Sequence, residues 1–96
     1  MSPLKRKKLS KIRFELDKLD NSLIKLIKKR TNLVKKVLLL KENKNQIVDQ
    51  TRIKKILKNI RQKSIKNNID PKITNRIWKN MIWSYIDFER RNFKKK

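Results

Sequence analysis

Four charged side chains fall on or beside the apolar faces of predicted helices, and they are the residues most able to do chemistry. They are Arg30, Lys41, Arg52 and Glu89, with Asp49 one helical turn before Arg52. Arg30 interrupts an otherwise apolar series whose steps of three and four residues follow one helix face. This apolar seam consists of Ile12, Leu16, Leu19, Leu23, Leu26, Leu33, Val37 and Leu40. A guanidinium is rarely buried without a partner, so we expect an anion beside Arg30.

Lys41 follows Arg30 by three helical turns, so both cations project from nearly the same face. Two inward cations favour a small anionic ligand, and helical bundles build such sites from facing helices. Each charge also has a purely structural interpretation. Arg30 fits a buried ion pair, Lys41 a solvated helix end, and Arg52 a surface bridge to Asp49. Glu89 could pair with a neighbouring arginine.

The residue types restrict the chemistry. The chain has no Cys and no His, which excludes disulfides, zinc sites and histidine acid–base catalysis. The absence of Gly argues against hairpins and glycine-rich phosphate loops. The longest apolar run, Val37–Leu40, is far too short to span a membrane, and no signal-like segment follows the basic N-terminus. We therefore expect a cytoplasmic protein without metal or cofactor.

The formal net charge is +22, which invites a nucleic-acid interpretation because Lys and Arg neutralise phosphates. Against it, lysines occupy exposed helix positions throughout the chain, and abundant Lys, Asn and Ile are typical of a biased codon supply. Nucleic-acid binding is therefore the less favoured function.

Three helices are predicted, in one domain spanning residues 1–96 with frayed basic tails at 1–9 and 93–96. Helix one should run from Ser10 to Glu42 and helix two from Asp49 to Lys66. A loop at Asn43–Gln46 separates them. Asp70-Pro71 is a helix start signal, and helix three should end at Asn92. The inward stripe of helix two is Ile53, Ile56 and Ile60; that of helix three is Ile77, Trp78, Met81, Ile82, Tyr85 and Glu89.

The predicted length of helix one indicates a dimer. At ~1.5 Å per residue it would be almost 50 Å long. A compact monomer of this size is only about 30 Å across. Much of the apolar seam therefore needs a second chain to cover it. The expected fold class is an all-α, three-helix chain with one long N-terminal helix in an intertwined homodimer.

The chain resembles the small all-helical chorismate mutases (the AroQ class) from about Ile12 to Glu89. The resemblance is carried by an Ile-Arg…Leu-Asp-x-Leu-Asp opening, a later Arg and Lys, and matching residues in the last two helices. These are Ile12-Arg13, Leu16-Asp17, Leu19-Asp20, Leu23-Ile24, Leu26-Ile27, Arg30, Leu33, Val37, Lys41, Asp49, Arg52, Ile69-Asp70-Pro71, Trp78, Met81-Ile82, Tyr85 and Glu89. Such enzymes are intertwined dimers of three-helix chains, in agreement with the helix-length argument.

The resemblance implies a site shared between two chains that binds the dicarboxylate chorismate. Arg13 would come from one chain and would clamp the substrate carboxylates together with Arg30 of the other. Lys41 would hydrogen-bond the ether oxygen as the C–O bond breaks, near Glu89. Asp49, Arg52 and Tyr85 would complete the pocket, with Asp49 orienting Arg52 or the substrate end. The rearrangement to prephenate needs neither proton transfer nor a nucleophile, so positioning and fixed cations supply the catalysis.

Two positions depart from the family pattern. Ile53 stands where many mutases have a Glu that holds the ring hydroxyl, and Glu89 stands where many have a Gln. Isochorismate-pyruvate lyases share the fold, carry an aliphatic residue at the Ile53 position, and have a run similar to Trp83-Ser84-Tyr85-Ile86. They keep Gln at the Glu89 position, so the mutase is favoured and the lyase is the alternative. An ionised Glu89 would repel negative charge on the ether oxygen, whereas a protonated one could donate a hydrogen bond.

Overall fold

The computed structural model describes residues 1–94, and three α-helices contain most of them. These are α1 at Pro3–Leu40, α2 at Gln50–Lys66 and α3 at Pro71–Asn92, with a 3₁₀ turn at Lys44–Gln46. No strand occurs among residues 1–94, so the prediction of an all-α, three-helix chain is confirmed. The chain divides into two compact units, Met1–Leu33 and Val34–Lys96.

The N-terminal unit, Met1–Leu33, is almost entirely α1. Helix α1 begins at Pro3, seven residues before the predicted start, and ends at Leu40, two residues before the predicted end. Residues 3–9, predicted as a frayed tail, are helical because proline suits the first helical position and Leu, Lys and Arg are good helix formers. No residue of α1, which is described throughout, is buried. The apolar seam is therefore exposed in the single chain; Leu23, for example, is 53% exposed.

Helix α2 has well-defined ends. The Asp49 carboxylate accepts a hydrogen bond from the Arg52 backbone N–H at 3.0 Å and so caps the first turn. At the other end, Asn68 has the left-handed φ of 56°, as the Asn67-Asn68 pair predicts. The Ile69 N–H donates to the Ser64 carbonyl at 2.9 Å, which closes a Schellman motif.

Helix α3 packs against α2 and forms a helical hairpin with it. Asp70 caps α3 and Pro71 occupies its first turn, as predicted. The buried core consists of Ile47, Ile82 and Ile86, with Val48, Ile53, Ile56, Leu57 and Phe93 packed against it. Near the connection the Ser64 and Thr74 hydroxyls share a 2.6 Å hydrogen bond.

The prediction that Ile77 belongs to the inward stripe of α3 is wrong for the single chain. Ile77 is 52% exposed. It precedes the buried Ile82 by five residues, which places it about 140° around the helix from the core. Phe93 and Lys94 follow α3 and are not helical, while Lys95 and Lys96 of the predicted C-terminal tail lie outside the described residues.

Candidate active site

Lys41 and Glu89 form the central ion pair of the unit Val34–Lys96. Lys41 immediately follows α1, where its backbone N–H donates to the Leu38 carbonyl at 3.1 Å. Its side-chain Nζ donates to both carboxylate oxygens of Glu89, at 3.1 Å each. A third contact of 3.5 Å joins Nζ to the carbonyl oxygen of Ile47. Three acceptors around one ammonium fix its position.

This ion pair is shielded from water. Only 17% of the Lys41 side chain and 7% of the Glu89 side chain are exposed. The other side-chain ion pair found within residues 1–94, between Arg91 and Asp87, is by contrast about two-thirds exposed on both sides. Water screens the exposed pair, so that pair contributes little. The Lys41–Glu89 pair lies where charges interact more strongly and where removing one partner is costly.

The connection between α1 and α2 positions the third acceptor. The Gln46 side chain accepts hydrogen bonds from the backbone N–H groups of Glu42 and Asn43, at 2.6 and 3.3 Å. Ile47 follows and is the most deeply buried apolar residue of the described core. Its burial holds its carbonyl next to Lys41. The sequence predicted only a polar loop at Asn43–Gln46. The adjacent apolar pair Ile47-Val48 was the feature that indicates a buried residue in this connection.

A surface pocket adjoins the ion pair. Lys41 and Asp49 both line it, with apolar walls from Val37, Leu40 and Val48. The pocket thus brings together two of the predicted site residues, one a cation whose ammonium is held in place. Because the Asp49 carboxylate is engaged at the start of α2, Lys41 is the charged group of this partly apolar pocket that would attract an anionic organic ligand.

Asp49 does not orient Arg52 through its side chain. The Asp49 carboxylate instead accepts from the backbone N–H of Arg52, and the Arg52 side chain is exposed. This geometry is the ordinary role of Asp before a helix, where it satisfies a free N–H group. The structure therefore does not support the alternative of a surface bridge between Asp49 and Arg52. An effect of Asp49 on the substrate end and a contact from Arg52 to substrate both stay predictions.

The remaining predicted residues lie in three places. Ile53 is half-buried and packs on the core below the first turn of α2, and half-buried Tyr85 lies one helical turn before Glu89 on α3. Arg13 and Arg30 belong to the other unit. Arg13 is exposed and lines a surface pocket together with Arg6 and Phe14, and Arg30 is half-buried. Their roles toward a substrate stay predictions.

Two further searches cover the described residues. No cluster of three or more acidic side chains that could hold a metal ion occurs among residues 1–94. No helix there combines the length and apolar character needed to cross a membrane.

The fold and the site define an all-helical protein that keeps a water-shielded cation beside a surface pocket. The chain belongs to the chorismate mutase type II family, whose family model matches residues 12–90. No curated protein and no solved structure matches the chain significantly. The match confirms the resemblance drawn from the sequence. Membership supports a chorismate mutase-type activity, an isomerase-type enzyme and chorismate as the kind of substrate.

Proposed function

We propose that this protein is a chorismate mutase of aromatic amino-acid biosynthesis in the cytoplasm, which rearranges chorismate to prephenate. The observation that carries the proposal, beside the family match, is the largely shielded Lys41 ammonium, which Glu89 holds at 3.1 Å and which lies at the edge of a pocket. In the reaction the ether C–O bond breaks as a new C–C bond forms within one molecule. No proton moves and no nucleophile is required, so a site of fixed charges is sufficient.

In this proposal Lys41 exchanges its long 3.5 Å contact with the Ile47 carbonyl for a hydrogen bond to the ether oxygen of the substrate. That oxygen gains negative charge in the transition state, and a fixed ammonium in a shielded site stabilises it without reorganising. Arg30 and Arg13 of the partner subunit clamp the two carboxylates, which holds the flexible substrate in its compact reactive shape. Arg52 and Tyr85 line the substrate, and Asp49 supports the pocket by fixing the start of α2.

The homodimer is part of the proposal. The apolar seam of α1 is exposed along the single chain, and α1 contributes no buried residue to the described structure. At ~1.5 Å per residue its 38 residues extend about 57 Å. Covering such a long apolar face with the same face of a second chain is favourable, because burying apolar area drives association.

Glu89 has two roles in this proposal. In the free protein its carboxylate holds Lys41 through both oxygens. In the reacting complex the same side chain lies beside the ether oxygen, where an anion opposes the negative charge that develops. A neutral residue of the same shape that can donate a hydrogen bond should therefore support the reaction at least as well.

Measuring kcat/KM for the wild type and Glu89→Gln tests this role of Glu89. Glutamine is a permanent neutral donor of the same shape, so Glu89→Gln should keep or raise the activity. Circular dichroism verifies that both proteins fold. A folded Glu89→Gln variant with much lower activity than the wild type would show that Glu89 acts only as the anion that orients Lys41.

Isochorismate-pyruvate lyase is the second candidate, favoured by one observation. Ile53 packs on the apolar core and offers no polar group to a ring hydroxyl. Incubating the purified protein with chorismate and, separately, with isochorismate, and following the products by NMR, distinguishes the two. We expect prephenate from chorismate and only slow release of pyruvate from isochorismate. Faster conversion of isochorismate to salicylate and pyruvate would replace the mutase assignment, and an inert protein would refute both.

A further inference from the structure

We propose a second function for the outer face of α2, which is the surface formed by Lys54, Lys55, Lys58, Arg61 and Lys66. This outer face binds the phosphate backbone of duplex nucleic acid without regard to sequence. The proposal is independent of the mutase reaction, because none of these five residues has a role in the site described above.

All the charged side chains of α2 are positive. The helix carries seven basic residues and no acidic one, and all seven are exposed. None of the seven takes part in an ion pair within residues 1–94. A surface of unscreened cations attracts polyanions and releases their counterions on binding.

Acidic residues of the same unit are occupied elsewhere. Glu89 binds Lys41, and Asp87 binds Arg91. Asp49 and Asp70 cap the starts of α2 and α3. Four of the five acidic groups of this unit are thus engaged. The fifth, Glu42, lies in the connection after α1 and forms no ion pair within residues 1–94, so the outer face of α2 has no internal ion-pair partner.

The spacing of the cations matches a phosphate backbone. Lys54, Lys58 and Arg61 follow one another at four and three residues, so they form a row on one side of α2. The row extends about 10 Å along the helix axis at ~1.5 Å per residue. One strand of a duplex presents a phosphate about every 3.4 Å along its axis, so the row faces roughly three phosphates. Packing of Ile53 and Ile56 on the core fixes the row in place.

Duplex nucleic acid is favoured over an anionic membrane surface. A helix that lies in a membrane interface needs large apolar side chains beside its cations. The outer side of α2 offers one, Ile65, which is 56% exposed. Its other large apolar residues pack toward the core. Charge without apolar anchors suits phosphates that stay in water.

Binding of a fluorescent 20-base-pair duplex of arbitrary sequence, measured by anisotropy from 50 to 200 mM salt, tests the proposal. The test variant is Lys54→Gln/Lys58→Gln/Arg61→Gln. The control, Lys5→Gln/Lys7→Gln/Lys8→Gln, loses the same net charge from the exposed start of α1. We expect the test variant to bind at least about tenfold more weakly, with a salt slope smaller by about two to three. The control should change less than about threefold, and a second duplex sequence should bind equally well.

The conservative variant Lys54→Arg/Lys58→Arg should retain binding, and circular dichroism verifies that every variant folds. Should the test variant not fold, Lys55→Gln/Lys66→Gln removes two cations of the same face and should reduce the slope by about two. Equal losses in test and control would show attraction by total charge alone and overturn the proposal. The proposal would also be overturned if no duplex binding were detected at 50 mM salt, or if the protein bound phosphatidylserine vesicles in preference to the duplex.

Discussion

The two units of the chain differ in whether their apolar side chains are buried within the unit. Val34–Lys96 buries Ile47, Ile82 and Ile86 within itself, and its ion pair is shielded by its own side chains. Met1–Leu33 carries a regular apolar seam but buries no residue. One unit thus has an internal core, and the other presents a surface that a second chain can complete.

The predicted site residues follow the same division. Lys41 and Glu89 are held by contacts within one unit of one chain. Arg13 is exposed in the other unit, and its proposed contact with substrate requires a partner subunit. The comparison teaches that the Lys41 cation is held by contacts within the single chain, whereas the proposed carboxylate clamp requires the proposed dimer.

The largest expected effect comes from placing a charge in the apolar seam. Leu23→Asp should abolish the dimer and much of the helicity, because symmetry places the carboxylate twice in an apolar interface. We expect the dissociation constant to rise at least about a hundredfold, equivalent to about 3 kcal/mol or more. Light scattering and circular dichroism at micromolar concentration measure both.

The matched control is Asn21→Asp, which introduces the same side chain two residues earlier, on the opposite side of α1. It should remain a dimer. A wild type that is a folded, helical monomer at micromolar concentration would contradict the role given to the seam, as would equal behaviour of the two variants.

A smaller effect is expected within the self-contained unit. Lys41→Met leaves Glu89 without its partner in a shielded site, which should cost about 3 kcal/mol of unfolding free energy. It should also lower kcat by about a hundredfold or more, because the donor to the ether oxygen is lost. Adding Glu89→Gln removes the unpaired charge, so the double variant should recover most of the stability but not the activity.

Urea unfolding and initial rates of the wild type and the two variants measure both quantities. An exposed pair serves as the control: Asp87→Asn breaks the bridge to Arg91 and should cost less than about 1 kcal/mol. Lys41→Met with wild-type turnover would remove Lys41 from the proposed mechanism. Equal costs for the two broken pairs would show that burial of the Lys41–Glu89 pair has no energetic consequence.

The smallest effect concerns the start of α2. Asp49→Ala removes the helix cap and should destabilise the protein by about 1 kcal/mol, whereas Asp49→Asn, which keeps a capping oxygen, should cost only a few tenths. Thermal unfolding compares them. A large loss of activity in Asp49→Asn without loss of stability would show that the Asp49 charge acts on the substrate, in addition to its capping role.

Local rules predicted much of this fold. Asp70-Pro71 marks the start of α3, and Asn68 adopts the left-handed conformation that ends α2. Periodicity placed Lys41 and Glu89 on inward faces, although their 3.1 Å contact joins residues 48 apart and depends on tertiary packing. The depth of Ile47 was not predictable from periodicity, because it lies in a connection between helices. The proposed division of the site between two chains likewise does not follow from the periodicity of one helix, because it requires a second chain.

The most direct test of the shared site is to mix two inactive variant chains, each substituted in a different unit. Arg13→Ala and Lys41→Met/Glu89→Gln should each be nearly inactive alone, whereas Lys5→Ala should keep wild-type activity. Unfolded and refolded together in equal amounts, the two inactive proteins should recover up to about a quarter of wild-type activity, because half of the dimers are hybrids with one intact site of two. No recovery, with hybrid dimers demonstrated by mass spectrometry, would show that Arg13 and Lys41 act within the same chain.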